Sequence, residues 1–143
     1  LAVDAFHNSH SIKIAKFNQF QSDIVFDGII YNKGSTVVKM IKHLIGEENF
    51  RKALHNYLQK HQYSNAVTED LLNAFDVLSD NKVSNVMREW LFTKGYPMIQ
   101  VESKGECVGL KQKKFSIDGI NNEEEKQMTW KIPIIYKSVI YGE

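Results

Sequence analysis

Phe26-Asp27-Gly28-Ile29-Ile30-Tyr31-Asn32-Lys33-Gly34 stands directly before an apolar pattern that decides the fold of this chain. The pattern recurs at offsets of one, three and four, which places its members on one face of an α-helix: Val37, Val38, Met40, Ile41, Leu44 and Ile45. Gly46 follows as the helix stop, because a left-handed backbone costs little without a Cβ. The stretch predicts a core helix with Tyr31 in or just before its first turns, where a buried ring still directs its hydroxyl into a cleft.

Three further helical patterns follow, each with an apolar stripe that faces a core. They run from Glu47 to about His61, from 69 to 78 with Thr68 as the N-cap, and from about 83 to 93. We interpret their methionine and aromatic residues as ordinary core rather than as a cofactor-binding face. The stripe residues are Phe50, Ala53, Leu54, Tyr57, Leu58, Leu71, Leu72, Phe75, Leu78, Val86, Met87, Trp90 and Leu91.

The pattern changes from helical to extended after Gly95-Tyr96-Pro97, where the proline ends the helical part. Met98–Val101 and Cys107–Ile117 are predicted strands, followed by turn signals at Asp118-Gly119 and Asn121-Asn122. Trp130–Tyr136 alternates as a third strand, and Pro133 favours a position at a sheet edge.

Composition excludes several classes of function. The chain has 143 residues, 43% of them hydrophobic, and a formal net charge of +1. This balance gives no electrostatic reason to expect nucleic acid or a membrane surface as a partner, and no run of residues is long and apolar enough to span a bilayer. The single cysteine, Cys107, excludes an internal disulfide and a cysteine-based zinc finger. The charged runs Lys113-Lys114 and Glu123-Glu124-Glu125 are predicted to be solvated.

Two histidines near the start of the chain are candidate metal ligands. His7 and His10 are three apart and would share a metal ion if they were helical. Asn8-Ser9 argues against a helix, and the sequence offers no third ligand nearby. We therefore predict that His10 is a structural loop residue, and that Asp27 caps the helix carrying Tyr31 or anchors its loop.

The order of these motifs resembles zinc aminopeptidases of the aminopeptidase N type, a gluzincin family, in the segment after their zinc site. The resemblance is carried by Leu1-x-x-Asp4 with Ser9-His10, by Phe26-Asp27 with Tyr31 and Lys33-Gly34, and by Trp90 with Gly95-Tyr96-Pro97. Ser11 stands where this family usually has proline. The resemblance covers nearly the whole chain, which begins with Leu1 rather than Met, and we expect it to be a piece of a longer protein.

The resemblance implies an α+β fold in two parts. Residues 1–95 would form the helical C-terminal lobe of a thermolysin-like catalytic domain. Residues 96–143 would form the start of a β-sandwich domain, which is incomplete here because a sandwich needs about seven strands.

The resemblance also implies the site residues. Tyr31 would donate a hydrogen bond to the oxyanion formed during peptide hydrolysis, and Phe26 would line the pocket for the substrate's N-terminal side chain. From the residues alone, a core aromatic is the better explanation of Tyr31, and it explains Phe26 equally well. Zinc would belong to the parent protein, because this chain has no H-E-x-x-H motif. The zinc ligands, the glutamate base and the motif for the substrate's amino group would precede Leu1.

These implications leave three functions open. In the first, the chain is part of an aminopeptidase that acts on peptide substrates together with the rest of the parent chain, and the isolated chain binds no catalytic zinc and is inactive. In the second, it is a non-catalytic helical relative that binds peptides or proteins and lacks a zinc site. In the third, it is a free-standing helical scaffold.

Overall fold

The computed structural model describes residues 2–13, 27–105, 107–120 and 122–136. A short 3₁₀ turn, Ala2–Ala5, is followed by a π-helical turn, Ile29–Lys33, that continues directly into helix α1, Gly34–Ile45. Helices α2 (Glu47–Lys60), α3 (Thr68–Asp76) and α4 (Lys82–Phe92) complete the helical part. Strands β1 (Pro97–Lys104) and β2 (Cys107–Lys114) and the short helix α5 (Glu123–Gln127) follow. The described residues therefore form the α+β fold expected from the sequence.

The four longer helices pack around one apolar core. Helix α1 contacts α2 and α4, and α3 contacts both α2 and α4. Gly46 ends α1 with a φ of 82°, a left-handed value that explains why glycine stands between α1 and α2. The buried members of the core are Val37, Ile41, Ala53, Leu72, Phe75, Val83, Met87, Trp90, Leu91 and Trp130.

Two details of the helices differ from the sequence expectation. Thr68 is the first helical residue of α3 and Val67 is its N-cap, because the Asp70 carboxylate accepts the Val67 N–H at 2.9 Å. Two residues of the predicted apolar faces are exposed, Leu58 of α2 to 59% and Val38 of α1 to 41%. Helices α1 and α3 cover the side of α2 that carries Ala53, and Leu58 lies outside that contact. None of the described helices is long and apolar enough to cross a membrane.

The predicted third strand is wrong for the described residues. Strands β1 and β2 pair antiparallel with Pro97 opposite Lys114, whereas Trp130 to Tyr136 forms no strand. The Gln112 carboxamide explains this difference, because it accepts the Trp130 N–H and donates to the Trp130 carbonyl, both at 2.9 Å. A side chain thus takes the backbone groups that a strand would pair with β2.

The same segment is held to the helical part by tryptophan. The Trp130 ring is buried with its centroid 6.3 Å from that of Trp90, and the Trp90 indole N–H donates to the Lys131 carbonyl at 2.8 Å. Trp130 therefore docks the start of this segment on the helical part rather than at a sheet edge.

The charged runs are also not simply solvated. Lys114 and Glu125 are both about 2% exposed, and their Nζ and Oε1 atoms lie 2.7 Å apart. Lys94 Nζ reaches the same oxygen at 2.9 Å. The hydrogen bonds from Lys114 and Lys94 lower the pKa of Glu125, although burial opposes this shift. This cluster connects β2, α5 and the end of the helical part.

Glu125→Ala should destabilise the fold by about 3 kcal/mol, because it leaves the Lys114 ammonium buried without its carboxylate. The matched control is Glu123→Ala in the same helix, since the Glu123–Lys126 pair is exposed and such pairs contribute about 0–1 kcal/mol. Urea unfolding at neutral pH measures both variants. Equal urea midpoints for the two variants would show that the buried Lys114–Glu125 pair stabilises the fold no more than the exposed Glu123–Lys126 pair does.

Candidate functional site

Tyr31 lies in the middle of the π-helical turn, and its side chain is 60% exposed. The expectation of a core aromatic is therefore wrong, and so is the expectation of a buried ring with only its hydroxyl in a cleft. Within the described ranges, no hydrogen bond joins the Tyr31 hydroxyl to another residue. The phenol is presented to solvent from the start of a long helix.

The π turn has its own set of backbone contacts. The Gly34 N–H donates to the carbonyls of Ile30 and Tyr31, so the turn runs into α1 without a break. The Asn32 carbonyl accepts hydrogen bonds from the Ser35 and Thr36 hydroxyls, each at 2.9 Å. Short π-helical insertions in α-helices are frequent at functional sites.

Lys33 anchors the turn from the side opposite Tyr31. Its side chain is buried, and its Nζ donates to the carbonyls of Thr93 at 2.9 Å and Gly95 at 2.7 Å. Asp4 Oδ2 lies 3.2 Å from the same nitrogen. Burial lowers the pKa of Lys33, and the nearby Asp4 carboxylate only partly offsets this effect.

Asp4 completes this anchor. Its Oδ1 accepts the Gly95 N–H at 2.9 Å and a hydrogen bond from the Ser9 hydroxyl. The Asp4–Lys33 pair thus joins the first turn of the described chain, the π turn and the loop after α4.

Asp27 caps the helix that carries Tyr31, which is one of the two roles that the sequence predicted for it. Its Oδ1 accepts the N–H groups of Ile29 and Ile30, each at 2.9 Å, which are free donors at a helix start. Its backbone carbonyl accepts the Tyr31 N–H at 3.3 Å. Three successive N–H groups of the turn therefore bond to one residue.

His10 holds the other oxygen of that carboxylate. Its Nε2 lies 2.7 Å from Asp27 Oδ2, and its Nδ1 lies 2.9 Å from the Ser11 carbonyl. Both partners are acceptors, so the doubly protonated imidazolium satisfies both contacts. Burial opposes protonation, but the bonds to Ser11 and Asp27 outweigh it and raise the pKa of His10. For Asp27, burial is likewise outweighed, and the Ile30 N–H and His10 lower its pKa.

The outcomes differ for the other residues that were predicted from the sequence to belong to a site. Phe26 lies outside the described residues, so its expected place in a substrate pocket stays a prediction. His7 bonds to Asp118 rather than sharing a ligand with His10. Among the residues that the structure describes, no three His, Cys, Asp or Glu side chains come together as a metal site.

Lys33 and Asp4 were not singled out for a role, although the sequence contains a signal for the lysine. Ile29, Lys33, Val37 and Ile41 are spaced four apart, and all four side chains are buried. A lysine in the phase of an apolar stripe requires buried acceptors. Nothing in the sequence identified Asp4, Thr93 and Gly95 as those acceptors.

Known proteins share this sequence over most of its length. The Peptidase family M1 domain matches residues 1–90. Aminopeptidase M1-D of Oryza sativa subsp. japonica is 38% identical over 134 residues, which are 94% of this chain and 15% of that protein. Leucyl aminopeptidase of Saccharolobus solfataricus is 37% identical over 94% of this chain and 17% of its own length.

A third relative is the Tricorn protease-interacting factor F2 of Thermoplasma volcanium, which is 34% identical over 94% of this chain and 17% of its own length. The chain thus spans about 15–17% of the length of these relatives. Because the family match covers more than half of the 143 residues, the chain belongs to peptidase family M1.

Proposed function

We propose that this chain is part of a zinc aminopeptidase that removes N-terminal residues from peptides, and that Tyr31 supplies its oxyanion donor. One observation carries the proposal: an exposed phenol stands on a π turn that Lys33 anchors from the opposite side and Asp27 caps. Membership of peptidase family M1 and the names of two relatives, both aminopeptidases, support the reaction class.

A phenol suits this task chemically. Attack of water on a peptide carbonyl places negative charge on the carbonyl oxygen, and a donor already aimed at that oxygen stabilises the transition state. The phenolic O–H of tyrosine is such a hydrogen-bond donor. Removing one such fixed donor costs about 3–4 kcal/mol of transition-state stabilisation.

The remaining parts of the site would lie elsewhere in the parent protein. We assign the zinc ligands, the glutamate base and the amino-group site to the rest of the parent chain, where a bound zinc ion would supply a water that ionises near neutral pH. We assign Phe26 to the wall of the pocket for the N-terminal side chain. This chain then contributes a positioned donor and part of a wall.

We also propose that residues 1–95 belong to the catalytic domain and residues 96–143 to a β-sandwich that continues in the parent. The two-stranded sheet supports this division, because one of its faces leaves apolar side chains exposed. Val101 lies opposite Leu110 on that face, with Val108 beside them. Further strands of the parent would cover these side chains.

Tyr31→Phe in the parent protein should lower kcat about 10²–10³-fold with little change in KM, because the lost contact forms only in the transition state. Tyr63→Phe is the matched control, since it removes a phenol hydroxyl from a fully exposed turn after α2. Steady-state hydrolysis of an aminoacyl anilide measures both variants. An unchanged kcat for Tyr31→Phe would remove this residue from the mechanism.

The isolated 143-residue chain should release no N-terminal residues from peptides with or without added zinc, because the proposal assigns the metal ligands and base to other parts of the parent. A fluorogenic aminoacyl substrate, with the parent protein as the positive control, tests this expectation. Zinc-dependent turnover by the isolated chain would contradict it. A parent that binds peptides without cleaving them would instead favour the non-catalytic relative.

A further inference from the structure

We propose that His10 and Asp27 act as a positioning pair for Tyr31, with His10 holding the Asp27 carboxylate so that the turn keeps one conformation. The inference rests on the proposed role of Tyr31 and adds two residues to it. The pair joins segments 17 positions apart in the chain, and both side chains are less than one-third exposed.

The contacts form a short path to the phenol. His10 Nε2 contacts Asp27 Oδ2, and Asp27 Oδ1 accepts the Ile29 and Ile30 N–H groups. The Asp27 carbonyl then accepts the Tyr31 N–H itself. A rotation of the Asp27 side chain would release the first two N–H groups of the turn. His10 opposes that rotation because it occupies the only carboxylate oxygen that the cap leaves free.

Because the residue that holds Asp27 is a histidine, this restraint depends on whether the imidazole carries its second proton. The neutral ring has one N–H, so it satisfies either the Ser11 carbonyl or the Asp27 carboxylate but not both. Among the described residues, the charged groups that act on His10 are Asp27 and Asp4, and both favour the imidazolium. Asp4 is itself paired with Lys33.

The test compares His10→Ala with His10→Gln in the parent protein. The glutamine amide retains a donor for Asp27 and has no titrating proton, whereas alanine removes the contact. A displaced catalytic group costs up to about a hundredfold in rate, and we expect His10→Ala to lower kcat roughly tenfold or more with little change in KM. His10→Gln should restore most of that loss. His7→Ala is the matched control, because His7 bonds to the exposed Asp118 instead.

A double-variant cycle separates positioning from general stability. If His10 acts through the phenol, His10→Ala should have little further effect on kcat in the Tyr31→Phe background. Equal effects of His10→Ala in both backgrounds would overturn the inference.

A second readout does not depend on activity. Hydrogen–deuterium exchange mass spectrometry of the parent should show faster exchange over residues 28–33 in His10→Ala, and rates near those of the wild type in His10→Gln. Unchanged exchange in His10→Ala would overturn the positioning role even if kcat fell. A normal kcat in Tyr31→Phe, by contrast, would overturn the proposed function of Tyr31, so the two failures are distinguishable.

The raised pKa of His10 predicts the direction in which pH changes amide exchange in the turn. Because the pKa of His10 is raised, the charged form and both of its contacts persist at and below its ordinary titration range. As pH rises through the raised pKa, the ring gives up one proton and one of its two contacts is lost. The exchange of residues 28–33 should therefore accelerate over that range more in the wild type than in His10→Gln, once the intrinsic rise of exchange with pH is subtracted. Identical profiles for the two proteins would overturn the role of the proton.

Discussion

The structure depends on one buried ion pair, Asp4 with Lys33. Placing both charges in the interior costs about as much as their attraction returns, so the pair contributes little net stability by itself. It does determine which groups meet, because a buried ammonium left without acceptors would cost several kcal/mol. The Lys33 Nζ therefore requires Asp4 and the carbonyls of Thr93 and Gly95 to converge on one point.

Gly95 connects this ion pair to the rest of the chain. Its carbonyl accepts from Lys33 and its N–H donates to Asp4, with a φ of 78°. A Cβ at this position would lie 2.9 Å from Lys114 Cε, so the second buried pair, Lys114 with Glu125, packs directly against it. Glycine is needed here for both its left-handed backbone and its small size. The helical part and the two-stranded sheet are thus joined through two ion pairs that meet at one glycine.

The helices could be predicted from the sequence because apolar periodicity and a glycine stop are local signals, as at Val37, Ile41 and Gly46. The Asp27 cap was predictable for the same reason. The burial of Lys114 and Glu125 could not be predicted. In the sequence each resembles a surface residue, and only the fold brings the two together. The predicted third strand was wrong because Trp130, the first residue of the alternating pattern, packs into the helical core and its backbone groups bond to the Gln112 side chain. The exposure of Tyr31 was missed because it depends on Lys33 facing inward.

The arrangement around Tyr31 resolves a conflict that any fixed donor must meet. A side chain that stabilises developing charge must be held in place before the reaction, yet it must remain open to the substrate. Burying the ring would fix it but close it off, and an exposed ring on a loose loop would be open but mobile. Here the restraints act on the backbone instead. Lys33 anchors the turn from the side opposite Tyr31, and Asp27 accepts hydrogen bonds from its first N–H groups. The phenol can therefore stay exposed to solvent, because the backbone of the turn that carries it is restrained.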